Sequence, residues 1–139
     1  MTDFVTIKET SIEGRGGPIR LRDYLPASAP FRTPVLWLHG GGFSSGGPDE
    51  KESDAPARVI AQSGRAVRTV DYRLAVRPAP WRKRDLASMR NPYPAGLHDV
   101  VDAAKDFSAA GRPYIIGEAS AGACLAAAAT WLPRRSSKC

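Results

Sequence analysis

The sequence has few cysteines and no long apolar run, and these absences exclude disulfide-rich and membrane-spanning proteins. It has two cysteines, Cys124 inside a predicted helix and Cys139 at the terminus, which excludes a disulfide framework and suits a reducing cytoplasm. Its first residues lack an apolar signal core. The longest apolar stretch, residues 119–132, is too short and too rich in alanine to span a bilayer. We therefore expect a cytoplasmic protein with no membrane span.

The chain has an excess of positive charge, with a formal net charge of +6 and a pI near 9.7. Its basic residues fall in a predicted connecting segment and in the tail, and they are not interleaved with stacking aromatics. A solvated loop explains them better than a nucleic-acid surface. The hydrophobic content of 42% with 24% charged residues is typical of a globular domain, and no linker or internal repeat divides the chain.

Periodicity predicts strands alternating with helices along the chain. Alternation of apolar and polar residues at the start predicts two half-buried strands, whereas Val35-Leu36-Trp37-Leu38 is typical of a central strand buried on both faces. This order of elements favours a mostly parallel α/β sheet flanked by helices. The predicted strands cover residues 4–8, 19–24, 35–38, 66–70 and 113–117, and the predicted helices cover residues 55–63, 97–107 and 121–131.

Several residues are expected to define the helices. Asp54 is predicted to cap the first helix, with Pro56 in its first turn, and Pro133 is predicted to end the last helix. Cys124 is expected to be a small buried packing residue. In the middle helix, three aspartates lie off the apolar face by periodicity: Asp99, Asp102 and Asp106.

Two short motifs carry the chemistry. His39-Gly40-Gly41-Gly42-Phe43 directly follows the buried strand, where a glycine turn can aim backbone N–H groups at a developing oxyanion. Glu118-Ala119-Ser120-Ala121-Gly122 places a serine where a strand runs into a helix, so that its Oγ projects from a sharp turn. The structural alternatives are an ordinary N-cap serine and a glycine-rich surface loop.

Together with Asp71-Tyr72-Arg73-Leu74-Ala75, and with Tyr93-Pro94-Ala95 leading to Asp99-Val100, these motifs resemble the hormone-sensitive-lipase-like branch of the α/β-hydrolase superfamily. The resemblance implies the N-terminal portion of an α/β-hydrolase fold and hydrolysis of a small-molecule carboxylic ester without metal or cofactor. It implies Ser120 as the nucleophile. It also implies an oxyanion hole formed by Gly41, Gly42 and Ala121, in a loop supported by His39 and Gly40.

The resemblance does not supply a general base. It implies that His39 orients the glycine loop, and it makes His98 an exposed residue on a helix. The family takes its acid and its histidine from later sequence in chains roughly twice as long. We therefore expect one partial domain over residues 1–139, with an atypical basic tail over residues 130–139, truncated by a frameshift or an early stop. The acid and the base are expected to be absent from this chain.

The chain departs from the family pattern at two places. Glu118 stands where the family has glycine, and it either strains the turn or points outward. Val76-Arg77 replaces Pro-Glu and a longer insertion follows. Without a neighbouring strand, Ile115 and Ile116 would form an unprotected edge through which the isolated chain self-associates. The competing interpretations are a non-catalytic remnant or interaction module and, more weakly, a basic nucleic-acid binder.

Overall fold

A five-stranded sheet forms the centre of the molecule. The computed structural model describes residues 4–30, 32–76, 89–109 and 111–135. Its strands are β1 (Val5–Gly14), β2 (Gly17–Pro26), β3 (Val35–Leu38), β4 (Val67–Val70) and β5 (Ile115–Glu118). Their order across the sheet is β1-β2-β4-β3-β5. The β4-β3-β5 core is parallel, whereas the β1-β2 hairpin joins it antiparallel through β2 and β4. The predicted partial α/β sheet is confirmed.

Helices cover both faces of this sheet. Their bounds are α1 (Lys51–Gln62), α2 (Ala95–Phe107) and α3 (Ala121–Arg135). Alternate residues of β3 point to opposite faces: Leu36 and Leu38 join the core formed with α2 and α3, and Val35 joins the core formed with α1. The predicted burial of β3 on both faces is therefore confirmed.

The helix ends differ from the predictions. The N-cap of α1 is Glu50, so Asp54 lies inside the helix, and Pro56 lies in its interior instead of its first turn. Within the described residues, the Asp54 carboxylate makes no capping hydrogen bond to the helix backbone. It accepts hydrogen bonds from Tyr24 Oη at 2.8 Å and Arg58 Nε at 2.7 Å instead. The last helix continues past Pro133 to Arg135. Proline removes one backbone donor and does not always end a helix.

The three aspartates of α2 are docked against the protein. The prediction that Asp99 lies off the buried face is wrong, because its side chain is only 2% exposed. Asp99 pairs with Arg73, Asp102 pairs with Arg15 at 2.6 Å, and Asp106 pairs with Arg68 at 2.7 Å. Arginines from the β1-β2 turn, from β4 and from the segment after β4 therefore fasten α2 to the sheet.

Two predicted regions extend beyond the residues that the structure describes. Most of the proline- and arginine-rich connection lies in residues 77–88, outside the described residues, and an antiparallel bridge pairs Val76 with Arg90 on either side of it. The end of the basic tail, residues 136–139, lies outside them as well. No helix in the described part of the chain is both long and apolar enough to cross a membrane.

Candidate active site

Ser120 lies on a sharp turn between β5 and α3. Its φ of +49° is in the left-handed region, which is uncommon for a residue other than glycine, and the residue is exposed. An ordinary N-cap residue has extended backbone angles. The turn is closed by a hydrogen bond from the Gly122 N–H to the Ala119 carbonyl at 2.9 Å. Glu118 is exposed, so the outward orientation is the one adopted.

The small residues after Ser120 let the turn pack against the end of β3. The Ala119 N–H donates to the Leu38 carbonyl oxygen at 3.1 Å. A Cβ at Gly122 would lie 2.6 Å from that same oxygen. Glycine is therefore required at position 122 for α3 to begin beside β3.

The glycine turn leaves β3 next to Ser120. A Cβ at Gly40 would lie 3.2 Å from Ser120 Cβ, so the two motifs are in contact although they are far apart in sequence. Gly41 and Gly42 have φ values of +120° and +60°. A Cβ at Gly41 would lie 2.0 Å from the Ser45 carbonyl oxygen, whereas one at Gly42 would meet nothing within 4 Å. The turn thus depends on glycine most strictly at position 41.

His39 is built into the base of the glycine turn. It is 4% exposed, its Nδ1 lies 2.6 Å from the Gly40 carbonyl oxygen, and its ring stacks on Tyr72 at 4.2 Å between centroids. A hydrogen bond to a carbonyl assigns the proton to Nδ1. Nε2 is buried and has no hydrogen-bond partner among the described residues. His39 therefore makes the contacts of a loop-supporting residue.

Tyr72 and its neighbours hold the turn from the other side. Tyr72 Oη donates to the His39 carbonyl oxygen at 2.7 Å, and the Ala75 N–H donates to the Phe43 carbonyl oxygen at 2.8 Å. Burial raises the pKa of Tyr72 to about 12, so its phenol remains a neutral donor near pH 7. The segment 72–75 therefore acts as a brace behind the glycine turn.

Asp99 anchors this brace. It accepts the backbone N–H of Arg73 at 2.8 Å and the Arg73 Nε at 2.9 Å. The hydrogen bond with Asp99 also raises the pKa of Arg73. Asp99 was not among the predicted site residues, although its position between the apolar residues Leu97 and Val100 is a signal in the sequence that it can face the protein. His98, on the same helix, is half-buried instead of exposed.

The residues after the glycine turn are held by an ion-pair network with β2. Arg22 Nη1 donates to the Pro48 carbonyl oxygen at 2.9 Å, and Arg22 and Arg20 both bind the Asp49 carboxylate. These hydrogen bonds lower the pKa of Asp49 to about 2. Glu9 on β1 completes the network by pairing with both arginines. The chain that follows the glycine turn is thus fastened to β2 at Pro48 and Asp49.

Cys124 is exposed, which corrects the prediction of a buried packing residue. It lies one helical turn after Ser120 and lines a cavity of about 330 Å³. The glycine turn contributes Gly42 and Phe43 to the same cavity. The helical spacing placed Cys124 on α3 correctly, but it could not show that the space above its thiol is open. In the described part of the chain, no cluster of three Cys, His, Asp or Glu side chains could hold a metal ion.

The fold and the two adjoining turns define an α/β-hydrolase. Residues 35–139 match the family model described as alpha/beta hydrolase fold. The chain belongs to this family, and its structural neighbours include hormone-sensitive-lipase-like esterases.

Its relatives are esterases that are much longer than the chain. The chain is 31% identical over 132 residues to the carboxylic ester hydrolase LipN of Mycobacterium tuberculosis, covering 94% of this chain and 33% of LipN. A hyperthermophilic esterase from the archaeon Pyrobaculum calidifontis superposes with a TM-score of 0.74 at 32% identity, over 94% of this chain and 40% of that one. Brefeldin A esterase, a bacterial homologue of human hormone-sensitive lipase, gives a TM-score of 0.75 at 26% identity, and the match covers 96% of this chain and 37% of that one. The chain thus spans about a third to two fifths of the length of these relatives.

Proposed function

We propose that this chain carries the nucleophile and the oxyanion hole of a carboxylic ester hydrolase. The observation that carries the proposal is the left-handed Ser120, exposed on a strand-to-helix turn in contact with Gly40 of the glycine turn. In this arrangement Ser120 Oγ attacks the acyl carbon of a small-molecule ester. The N–H groups of Gly41, Gly42 and Ala121 then stabilise the oxyanion, each donor contributing about 3 kcal/mol in the transition state.

The reaction also needs a base to take the serine proton, and neither histidine of the chain is placed for that task. His39 is buried, with Nδ1 engaged by the Gly40 carbonyl, and His98 lies on α2. A serine without its base is a weak nucleophile. In a serine protease, loss of the serine or the histidine costs about a million-fold in rate, and a residual acceleration of about a thousandfold over water remains. We infer that the 139-residue chain hydrolyses esters at about this residual level.

The first test is covalent labelling of the purified chain. A fluorophosphonate probe should react slowly and only at Ser120, as mapped by peptide mass spectrometry. The label should be lost in Ser120→Ala and retained in Ser44→Ala, a matched serine-to-alanine control at the residue that follows the glycine turn. A folded chain that is never labelled at Ser120 would refute the assigned nucleophile and would favour a non-catalytic interaction module.

The second test is turnover of p-nitrophenyl acetate and butyrate. We expect no hydrolysis clearly above the rate of the Ser120→Ala variant. Robust turnover that disappears in Ser120→Ala would show that the chain contains a working base and would contradict the inferred residual rate.

A further inference from the structure

The side chain of Ser45, just beyond the glycine turn, has no role in the chemistry described so far. Its hydroxyl donates to the Gly41 carbonyl oxygen at 2.9 Å, and its backbone N–H donates to the same oxygen at 3.0 Å. The Ser44 N–H is a third donor to this oxygen, at 3.2 Å. Because three donors hold one carbonyl, the peptide unit between Gly41 and Gly42 is fixed in direction.

The direction of this peptide unit determines the direction of the Gly42 N–H. The peptide is trans, and in a planar trans peptide the carbonyl oxygen of one residue and the N–H of the next point to opposite sides. Because the Gly41 oxygen faces Ser44 and Ser45, the Gly42 N–H faces away from them. Among the described residues this N–H has no acceptor, and Gly42 is exposed. It is therefore an open donor with a defined direction.

The preceding peptide unit is held in the same way. His39 Nδ1 lies 2.6 Å from the Gly40 carbonyl oxygen, which directs the Gly41 N–H to the opposite side. The two glycine donors of the proposed oxyanion hole thus belong to consecutive peptide units, and a side chain binds the carbonyl of each unit. The family resemblance implied a supporting role for His39, and it implied none for Ser45.

We propose that Ser45 is a positioning residue of the oxyanion hole: its hydroxyl holds the Gly41 carbonyl so that the Gly42 N–H stays directed at the oxyanion. This inference rests on the proposed function, because Ser45 has this task only if Ser120 attacks an acyl group. A donor stabilises an oxyanion best when it is oriented before the reaction, since no free energy is then spent on reorganisation. Ser45 acts through the peptide unit and not on the substrate itself.

The contacts of the Gly41 oxygen limit the size of the effect. Loss of an oxyanion donor lowers the rate by about 10²–10³-fold. Ser45→Ala keeps the Gly42 N–H, and the two backbone hydrogen bonds to the Gly41 oxygen still close the turn. The variant loses one neutral hydrogen bond, whose net worth corresponds to about twofold to tenfold in an equilibrium constant. Because the Ser45 hydroxyl is exposed and water competes for it, we expect an effect of about three- to fivefold.

The first experiment measures fluorophosphonate labelling of Ser120 over a range of probe concentrations. This range separates the maximal rate constant, kinact, from the half-saturating concentration, KI. Ser45→Ala should lower kinact about three- to fivefold and change KI by less than about twofold, because the orientation of the donor matters in the transition state. Ser45→Thr keeps the hydroxyl and should restore kinact. A general loosening of the turn would raise KI as well, and that result would contradict a positioning role.

Ser63→Ala is the matched control. The Ser63 hydroxyl also donates to a backbone carbonyl, that of Ile60 at 2.7 Å, but it lies at the C-terminal end of α1 and outside the proposed site. We expect Ser63→Ala to keep the kinact of the unsubstituted chain. A decrease equal to that of Ser45→Ala would show that the effect does not depend on the Gly41 carbonyl, and it would overturn the inference.

The second experiment observes the peptide unit itself and needs no reaction at Ser120. In an HNCO spectrum, the cross-peak of Gly42 joins its amide N–H to the carbonyl carbon of Gly41. Loss of a hydrogen bond at the carbonyl oxygen should move this carbon resonance upfield in Ser45→Ala, and Ser45→Thr should return it. An unchanged carbon resonance in Ser45→Ala would show that the hydroxyl does not hold the carbonyl, and the inference would be wrong.

The labelling results distinguish failure of this inference from failure of the proposed function. If the unsubstituted chain is labelled at Ser120 and Ser45→Ala has the same kinact, only the role of Ser45 is refuted. If the folded chain is never labelled at Ser120, the proposed function fails, and the role of Ser45 in it fails as well, whatever the Gly41 resonance shows.

Discussion

Replacing Asp99 by alanine should destabilise the fold far more than a surface aspartate would. The Asp99 side chain is 2% exposed and accepts the Arg73 backbone N–H at 2.8 Å as well as its guanidinium at 2.9 Å. Removing one partner of a fully buried ion pair costs about 3–5 kcal/mol. Because the Arg73 side chain is 31% exposed and water can solvate it in the variant, we expect a smaller loss, of about 2–3 kcal/mol.

The matched control is Asp102→Ala on the same helix. Asp102 also binds an arginine, but the side chain of its partner Arg15 is 45% exposed, and such exposed pairs contribute about 1 kcal/mol or less. Urea unfolding followed by circular dichroism should show the difference, and the thermal midpoint of Asp99→Ala should fall by roughly 5–10 °C. If Asp99→Ala proves no less stable than Asp102→Ala, Asp99 does not anchor the brace behind the glycine turn.

Three further outcomes follow from the described contacts. Burial raises the pKa of Tyr72 to about 12, above its ordinary value near 10, so its neutral form stabilises the fold below pH 10 and this contribution is lost as the pH rises towards 12. The free energy of unfolding should therefore fall less steeply with rising pH over that range in Tyr72→Phe. The same slope in both proteins, measured by urea unfolding, would disprove this assignment. Gly41→Ala should lower the stability by at least about 1 kcal/mol more than Gly42→Ala, since only the former places a Cβ against backbone, at 2.0 Å. Equal urea midpoints would contradict this. Ile115 is 45% exposed on the edge strand β5, so Ile115→Lys should reduce self-association in sedimentation velocity. Val59→Lys, at a 65% exposed position on α1, should not, and equal effects would show that the β5 edge is not the contact.

The sequence predicted the sheet well because its strands carry strong local signals. Four consecutive apolar residues marked β3, and the predicted bounds of β4 lie within one residue of those observed. The antiparallel pairing of β2 with β4 was not predicted, because these strands are far apart in sequence and the residues of neither strand specify which strand it pairs with. The N-terminus of α1 was misplaced for a related reason: Asp54 has the chemistry of a cap, but Tyr24 and Arg58 bind its carboxylate.

The candidate site was predicted as two motifs and not as a connected structure. The sequence indicated a serine turn and a glycine turn. It did not indicate that Gly40 would lie against Ser120 or that Tyr72 would stack on His39. The burial of Asp99 was not predicted because a charged residue is expected to face solvent. Its ion pair with Arg73 allows the carboxylate to be buried. Such errors occur where a long-range partner determines the environment of a side chain.

The contact between Gly40 and Ser120 has a consequence for the order in which the molecule forms. The glycine turn follows β3. The strand that pairs with β3 on this side, β5, is synthesised some eighty residues later. During synthesis β3 can pair with β4 while its other edge stays open, and the serine turn can dock only after β5 and the start of α3 have emerged. Contacts of such large sequence separation form slowly, because the intervening loop must be closed first. We therefore expect the site to assemble late in folding, and a ribosome-bound chain that ends before β5 would present the glycine turn without its serine.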